Sequence, residues 1–170
     1  MRAANVADCD AIARMCASLW PDASAEEHGR EVLQKIEGRG VSTLPVAIFV
    51  AEVVATASSS HHQQALGALE NRHVAPQQIG FIEVGLRSHA DGCDKSKPVG
   101  FLEGWYVIET WRNRGVGRSL VATAEGWCRC HGCKEMASDT WIDNESSQRA
   151  HDALGYEVVD RCIHYRKALK

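Results

Sequence analysis

Apolar positions recur along the chain with two periods, and the switches between them mark out its elements. Ile12, Met15, Cys16 and Leu19 fall at i, i+3, i+4 and i+7. They form one face of a helix that starts near Asp8 and is broken at Pro21. "SAEE" opens a second helix, with Ser24 as cap and Glu27 completing a capping box, and "EGRG" ends it. "PVAIFVAEVVA" is rich in β-branched and apolar residues and predicts a strand. Residues 56–78 break the pattern. They are polar and biased to Ser, His and Gln, and predict a long surface loop carrying one helical turn at "QALGALE". "IGFIEVGLRS" and "VGFLEGWYVI" predict two more strands on either side of the turn-like "HADGCDKSKP".

Helical spacing returns at Val116, Leu120, Val121, Ala124, Trp127, Cys128 and His131, with Gly132 as the stop. "CKEMASD" predicts a strand and "NESSQRAHDAL" a short helix closed by Gly155. "YEVVDRCIHYRKAL" predicts one or two final strands. The order is a leading strand, two helices, a run of strands, then helix, strand, helix, strand. That order implies an α/β or α+β domain with a mixed sheet, spanning residues 1–170 as one unit.

Composition narrows the class. The chain has 170 residues, 45% hydrophobic and 24% charged, with a net charge of -3. That is an ordinary globular balance without the basic excess of a nucleic-acid binder. The N-terminus lacks the apolar run of a signal peptide and no stretch has the length of a membrane span. Seven cysteines at irregular spacing do not suggest a disulfide framework, and a reducing cytoplasm is the expected setting.

The segment "CRCHGC" at 128–133 suggests half a zinc site. Zinc needs ligands that converge, whereas side chains two apart on a helix diverge. Cys128 lies on the apolar face and Cys130 does not, while Cys133 follows the helix stop. The segment therefore reads as a helix C-terminus with Cys128 in the core, and no metal is expected. His61, His62 and His73 fall in the polar loop and read as solvated side chains.

"RNRGVG" carries more chemistry. It lies between a predicted strand and a predicted helix, so Gly115 and Gly117 fall in the first turn. A helix N-terminus presents unpaired N–H groups and a partial positive charge, a setting for phosphate. Arg112, Arg114 and Arg118 add charge-assisted donors. Alone, this is also what a helix start with surface arginines looks like. It lacks the G-K-[ST] of a Walker loop and the third glycine of a dinucleotide fingerprint.

The segment resembles the R/Q-x-x-G-x-G/A acetyl-CoA motif of the GNAT N-acetyltransferases. Together with "LWPD", "FLEGWYV", "GCKEMASDT", "NESSQRAHDALGYEVVDR" and "HYRKAL", the chain resembles the aminoglycoside 6'-N-acetyltransferases over nearly its whole length, residues 56–78 excepted. The resemblance implies a GNAT fold. This has a mixed central sheet with helices on both faces, and acetyl-CoA lies at a splay between two central parallel strands. It implies pyrophosphate contacts from Arg112, Asn113, Arg114, Gly115, Val116, Gly117 and Arg118, and a pantetheine arm paired along Trp105, Tyr106 and Val107. Asn144 matches a further cofactor contact.

The antibiotic side falls to Trp20, Glu103, Asp139 and Asp160. Carboxylates suit a polycation, and an indole offers a flat face to a sugar ring. Glu103 is implied as the base or the holder of the amine, directly or through water, and a backbone N–H near Val107 as a donor to the thioester carbonyl. His151 occupies the position where many GNAT enzymes carry a tyrosine as acid. It reads equally as a helix-surface histidine. "SHADGC" is one residue shorter than the family's "YVNGC", so His89 replaces the missing tyrosine or nothing does. The resemblance also implies a homodimer. The competing readings are a GNAT enzyme for a polyamine, a protein N-terminus or another small amine, and a non-catalytic acetyl-CoA-binding module.

Overall fold

The computed structural model describes residues 1–40, 42–54 and 76–169. Five strands line up in sequence order across one mixed sheet: β1 (Arg2–Ala3), β2 (Val46–Val53), β3 (Gln77–Arg87), β4 (Val99–Val107) and β5 (Met136–Ser138). The first three junctions are antiparallel and the β4–β5 junction is parallel. Helices α1 (Cys9–Leu19) and α2 (Ala25–Ile36) cover one face, α3 (Val116–Cys130) the other, and α4 (Glu145–Asp152) follows β5.

The helix faces read from the sequence are the faces that pack. Ile12, Met15, Cys16 and Val32 are buried against Ile48, Val50 and Phe81. Leu120, Val121, Ala124 and Cys128 are buried against Ile79, Ile82, Val84 and Leu102 on the opposite face. Each such large side chain contributes about 1.5–3 kcal/mol on burial. β3 is covered on both sides, which explains its nearly unbroken apolar run. The α2 capping box forms in both directions, with Ser24 N–H donating to Glu27 Oε2 at 2.8 Å and Glu27 N–H donating to Ser24 Oγ at 3.2 Å.

"CRCHGC" is the end of α3. Cys133 N–H donates to Cys128 O at 3.1 Å and Gly132 N–H to Arg129 O at 3.1 Å, with Gly132 at φ 81°. These are the two bonds of a Schellman stop. Cys128 and Cys133 are buried together while Cys130 faces out. A Cβ on Gly100 would lie 2.3 Å from Cys128 Sγ, so that glycine lets α3 approach β4 closely.

Three expectations need correction or limits. Residues 156–169 form no strand and are mostly exposed. Their β-like pattern has no partner here, and a strand needs a neighbour to satisfy its backbone. Gln77 and Gln78 belong to β3 and not to the preceding loop. They pair with Val53 and Glu52 beyond a bulge, and Gln78 Nε2 donates to Asp8 Oδ1 at 2.9 Å. The turn expected at "QALGALE", and His61, His62 and His73, lie outside the described residues.

Two features of β4 position the site. It pairs with β5 only through Gly100, Phe101 and Leu102, so its edge from Glu103 to Val107 faces no strand among the described residues. In its register with β3, Glu83 opposes Gly104 and Val84 opposes Leu102, which leaves Glu103 as the extra residue of a β-bulge.

The N-terminus is tied down by a buried acid. Asp8 is 1% exposed and accepts from the two terminal nitrogens of Arg2, Nη1 and Nη2, at 2.7 and 2.8 Å, and from the Asn5 N–H at 2.8 Å. Arg2 foremost, with the Asn5 N–H and Gln78, holds its carboxyl below the ordinary range against the opposing effect of burial. A lowered native pKa means the unfolded chain binds the proton more readily. The stabilisation is therefore complete above about pH 4 and is lost as pH falls through the native value. Asp8→Asn is expected to cost about 2–3 kcal/mol in urea unfolding at pH 7 and to flatten the acid limb of stability against pH.

Candidate active site

Glu103 stands on the α1–α2 face of the sheet. Its bulge turns the carboxylate toward Gly85, where a built Cβ would lie 3.3 Å from Oε1. Trp20, the residue that ends α1, packs its ring on the next β4 residue. A Cβ on Gly104 would lie 2.4 Å from Trp20 Cη2. Gly104 thus brings together two of the residues expected at the acceptor site. His28, buried on α2, steadies Trp20 through Nε2 against the Trp20 carbonyl at 3.0 Å. Asp139 is exposed and follows directly on the Leu102–Ser138 pair at which β5 ends. His89 is exposed beyond the end of β3, and Asp160 is exposed on the C-terminal segment. No described contact brings these two to Glu103.

Residues that the sequence did not single out surround Glu103. Arg87, the last residue of β3, grips both carboxylate oxygens, with Nε to Oε1 at 3.2 Å and Nη2 to Oε2 at 2.7 Å. Beneath lies Glu83, 5% exposed, with Oε1 2.6 Å from Lys35 Nζ. Burial foremost pushes the Glu83 carboxyl above its ordinary range, Lys35 pulls it back, and Glu103 adds a further upward push. A lone acid inside "FIEVG" was the available signal for Glu83. Arg87 had no local signal, because its partner is on another strand.

Across the β4–β5 gap, the start of α3 is left uncapped. α3 starts at Gly115, whose backbone is left-handed at φ 78° and whose built Cβ meets nothing within 4 Å. No side chain caps this N-terminus, and its first turn carries no acid. The open glycine and free N–H groups form a cradle that a side chain would fill. Asn113 adds a second left-handed residue at φ 58°. Arg112 Nε donates to Val107 O at 3.0 Å, Arg118 Nη2 to Ala153 O at 2.9 Å, and Arg114 lies over Trp111. The three guanidiniums are thus fixed near the turn.

Gly117 does a different job from Gly115. Its built Cβ would lie 2.6 Å from the Trp105 ring, so its smallness serves packing and not only ligand approach. The Trp105 indole N–H is buried without an acceptor among the described residues. Tyr106 lies under Arg112, 5.5 Å from Cζ to ring centroid. Ile108 N–H donates to Ile79 O of β3 at 3.0 Å, and strand alternation therefore turns the Val107 N–H toward the β5 side. Asn144 caps α4, accepting from Ser147 N–H at 3.1 Å.

His151 is half-buried, not a surface histidine. Its Nδ1 lies 2.8 Å from Ser147 O and its Nε2 3.0 Å from Ser138 Oγ on β5. Trp105 and Tyr156 meet its ring edge-on at 6.0 and 5.1 Å.

An anion cradle at a helix start, an open parallel-strand edge and a bulged carboxylate are the parts expected of an acyl-CoA site. The chain matches the acetyltransferase (GNAT) family over residues 12–156. It belongs to that family. This acetyltransferase is 34% identical to the aminoglycoside N(6')-acetyltransferase type 1 of Klebsiella aerogenes, over 99% of this chain and 96% of that one. It is 36% identical to the Serratia marcescens protein of the same name, over 94% and 92%. Among solved structures it resembles AAC(6')-Iy bound to the bisubstrate analogue CoA-S-monomethyl-acetylneamine, at TM-score 0.70 and 34% identity over 99% of this chain and 97% of that one. AAC(6')-Iy with CoA gives 0.71 and 31% over 99% and 93%.

The two glycines separate in a test. Gly115→Ala forces a side chain into a left-handed backbone and into the cradle. It is expected to weaken CoA binding in calorimetry at least tenfold while costing about 1 kcal/mol of stability. Gly117→Ala must displace Trp105 and is expected to lower the melting temperature more than Gly115→Ala does.

Proposed function

We propose that this acetyltransferase transfers the acetyl group of acetyl-CoA to the 6'-amino group of aminoglycoside antibiotics, by direct transfer in a ternary complex, and so confers resistance. The observation that carries the reading is the placement of Glu103. The bulge sets Glu103 directly before Gly104, on which the Trp20 ring packs, at the start of the open β4 edge that leads toward the start of α3. The relatives above, named for this activity, support the substrate class.

Acetyl-CoA, when bound, supplies an activated thioester. Arg112, Asn113, Arg114, Gly115, Val116, Gly117 and Arg118 hold its pyrophosphate. Trp105, Tyr106 and Val107 offer their backbone edge to the pantetheine. The Val107 N–H is the donor for the carbonyl oxygen as charge develops there, and one such donor is typically worth ~3 kcal/mol. A primary amine of the lysine type has a pKa of about 10.4, so it arrives as ammonium. Glu103 holds that ammonium and takes its proton, directly or through water. Trp20 packs against a sugar ring, while Asp139 and Asp160 add negative charge for a polycation. His151 is the proton source for the leaving sulfur, its ring fixed between Trp105 and Tyr156 beside the gap.

A homodimer is the proposed assembly. The C-terminal segment exposes Val158, Val159, Ile163, Tyr165 and Leu169, an apolar series that a partner would cover. The cytoplasm is the proposed compartment. All seven cysteines are free, and no helix among the described residues is long and apolar enough to cross a membrane.

Thiol release from acetyl-CoA is expected with aminoglycosides that carry a 6'-amine and not with those that carry a 6'-hydroxyl. Glu103→Gln is expected to lower kcat/KM by about 10²–10⁴. Equal turnover of both drug classes would point to acetylation at another amine. Absence of turnover with CoA binding intact would contradict the proposal.

A further inference from the structure

Arg87 is an unexpected neighbour for a carboxylate that is to receive an ammonium. Its guanidinium forms a two-pronged ion pair with Glu103, at 3.2 and 2.7 Å, and its Cζ lies over the Phe101 ring at 3.2 Å from the centroid. Planar guanidinium suits both contacts, the fork against carboxylate and the stack against an aromatic face. Both oxygens of Glu103 are therefore already paired with a cation of the protein's own. The pair is not sealed, since the Arg87 side chain is 42% and that of Glu103 30% exposed. A pair this open is exchanged at small cost. The nearby Glu83 already has a cation of its own, with Oε1 paired to Lys35 Nζ.

We propose that Arg87 is a specificity-determining residue, a built-in cation that occupies Glu103 in the free enzyme and is exchanged for the ammonium of the acceptor. The inference rests on the reading of Glu103 as the amine-holding group. A fixed positive charge at this point opposes every cationic acceptor. The acceptor must offset the lost pair with further ammonium contacts elsewhere. A polycation has further ammonium groups for this and a simple monoamine has none, so Arg87 biases the carboxylate toward acceptors of higher charge.

The test compares Arg87→Gln and Arg87→Lys with the parent enzyme, alone and combined with Glu103→Gln. Each is measured with kanamycin and with a monocationic primary amine, at low and high salt. Thermal melts check that each variant is folded. Arg87→Gln is expected to lower KM for both acceptors, about two- to fivefold for kanamycin, with kcat within twofold. The gain should be larger for the monoamine and should shrink at high salt. Arg87→Lys, which keeps the charge, should stay near the parent KM. In the Glu103→Gln background, Arg87→Gln should leave KM unmoved. A raised KM in Arg87→Gln, or a lost kcat at unchanged KM, would overturn the exchange and make Arg87 an acceptor contact or a clamp on Glu103. An unchanged KM and kcat in Arg87→Gln, with Glu103→Gln impaired, would remove the inference alone. Parent-like kinetics in Glu103→Gln would remove the reading of Glu103 and the inference with it.

Discussion

The site depends on the way β4 loses one neighbour while keeping the other. Its pairing with β3 continues through Val107, but its pairing with β5 stops at Leu102. The bulge at Glu103 falls at that same point. One extra residue turns a carboxylate to the α1–α2 face and leaves the following edge open on the β5 side. The edge is held in place by β3, which is buried on both faces and packs against both halves of the core. Backbone donors are thus left open among the described residues on a strand that its other neighbour holds in place.

Close packing keeps this arrangement in register. Gly104 admits the Trp20 ring, Gly100 admits Cys128, and Gly117 admits Trp105. Each contact replaces a Cβ with a larger side chain from another element, so α1 and α3 are set against β4 at fixed depth. The α3 cradle, the indole of Trp20 and the Glu103 carboxylate are in this way referred to one strand. His151 joins them through Ser138, since β5 carries the residue that holds its Nε2. Positional precision at a catalytic group is expected to come from such rigid elements and not from loops.

Much of this was legible in the sequence, and the reasons for the rest are physical. α1, α2 and α3 declared themselves through period and caps, because those signals are local. The glycine turn that starts α3 was legible because a strand, "RNRGVG" and a helix follow one another directly. Glu103 was legible only through family resemblance, since a bulge has no signal in one strand's own pattern. Arg87 was missed because its ion pair joins two strands. The final strands were overread: "YEVVDRCIHYRKAL" has the composition of a strand, but composition does not supply a partner, and the described chain leaves it exposed. Gly117 was read for a ligand alone, while the structure also gives its space to Trp105.

Amide hydrogen exchange with and without CoA tests the open β4 edge most directly. CoA is predicted to protect the amides of Trp105 and Val107 and those of Val116 to Arg118, while β2 and the β3 amides paired with it keep their parent rates. Protection confined to the α1–α2 face, or absent from Val107 at saturating CoA, would contradict a cofactor lying between β4 and the end of β5.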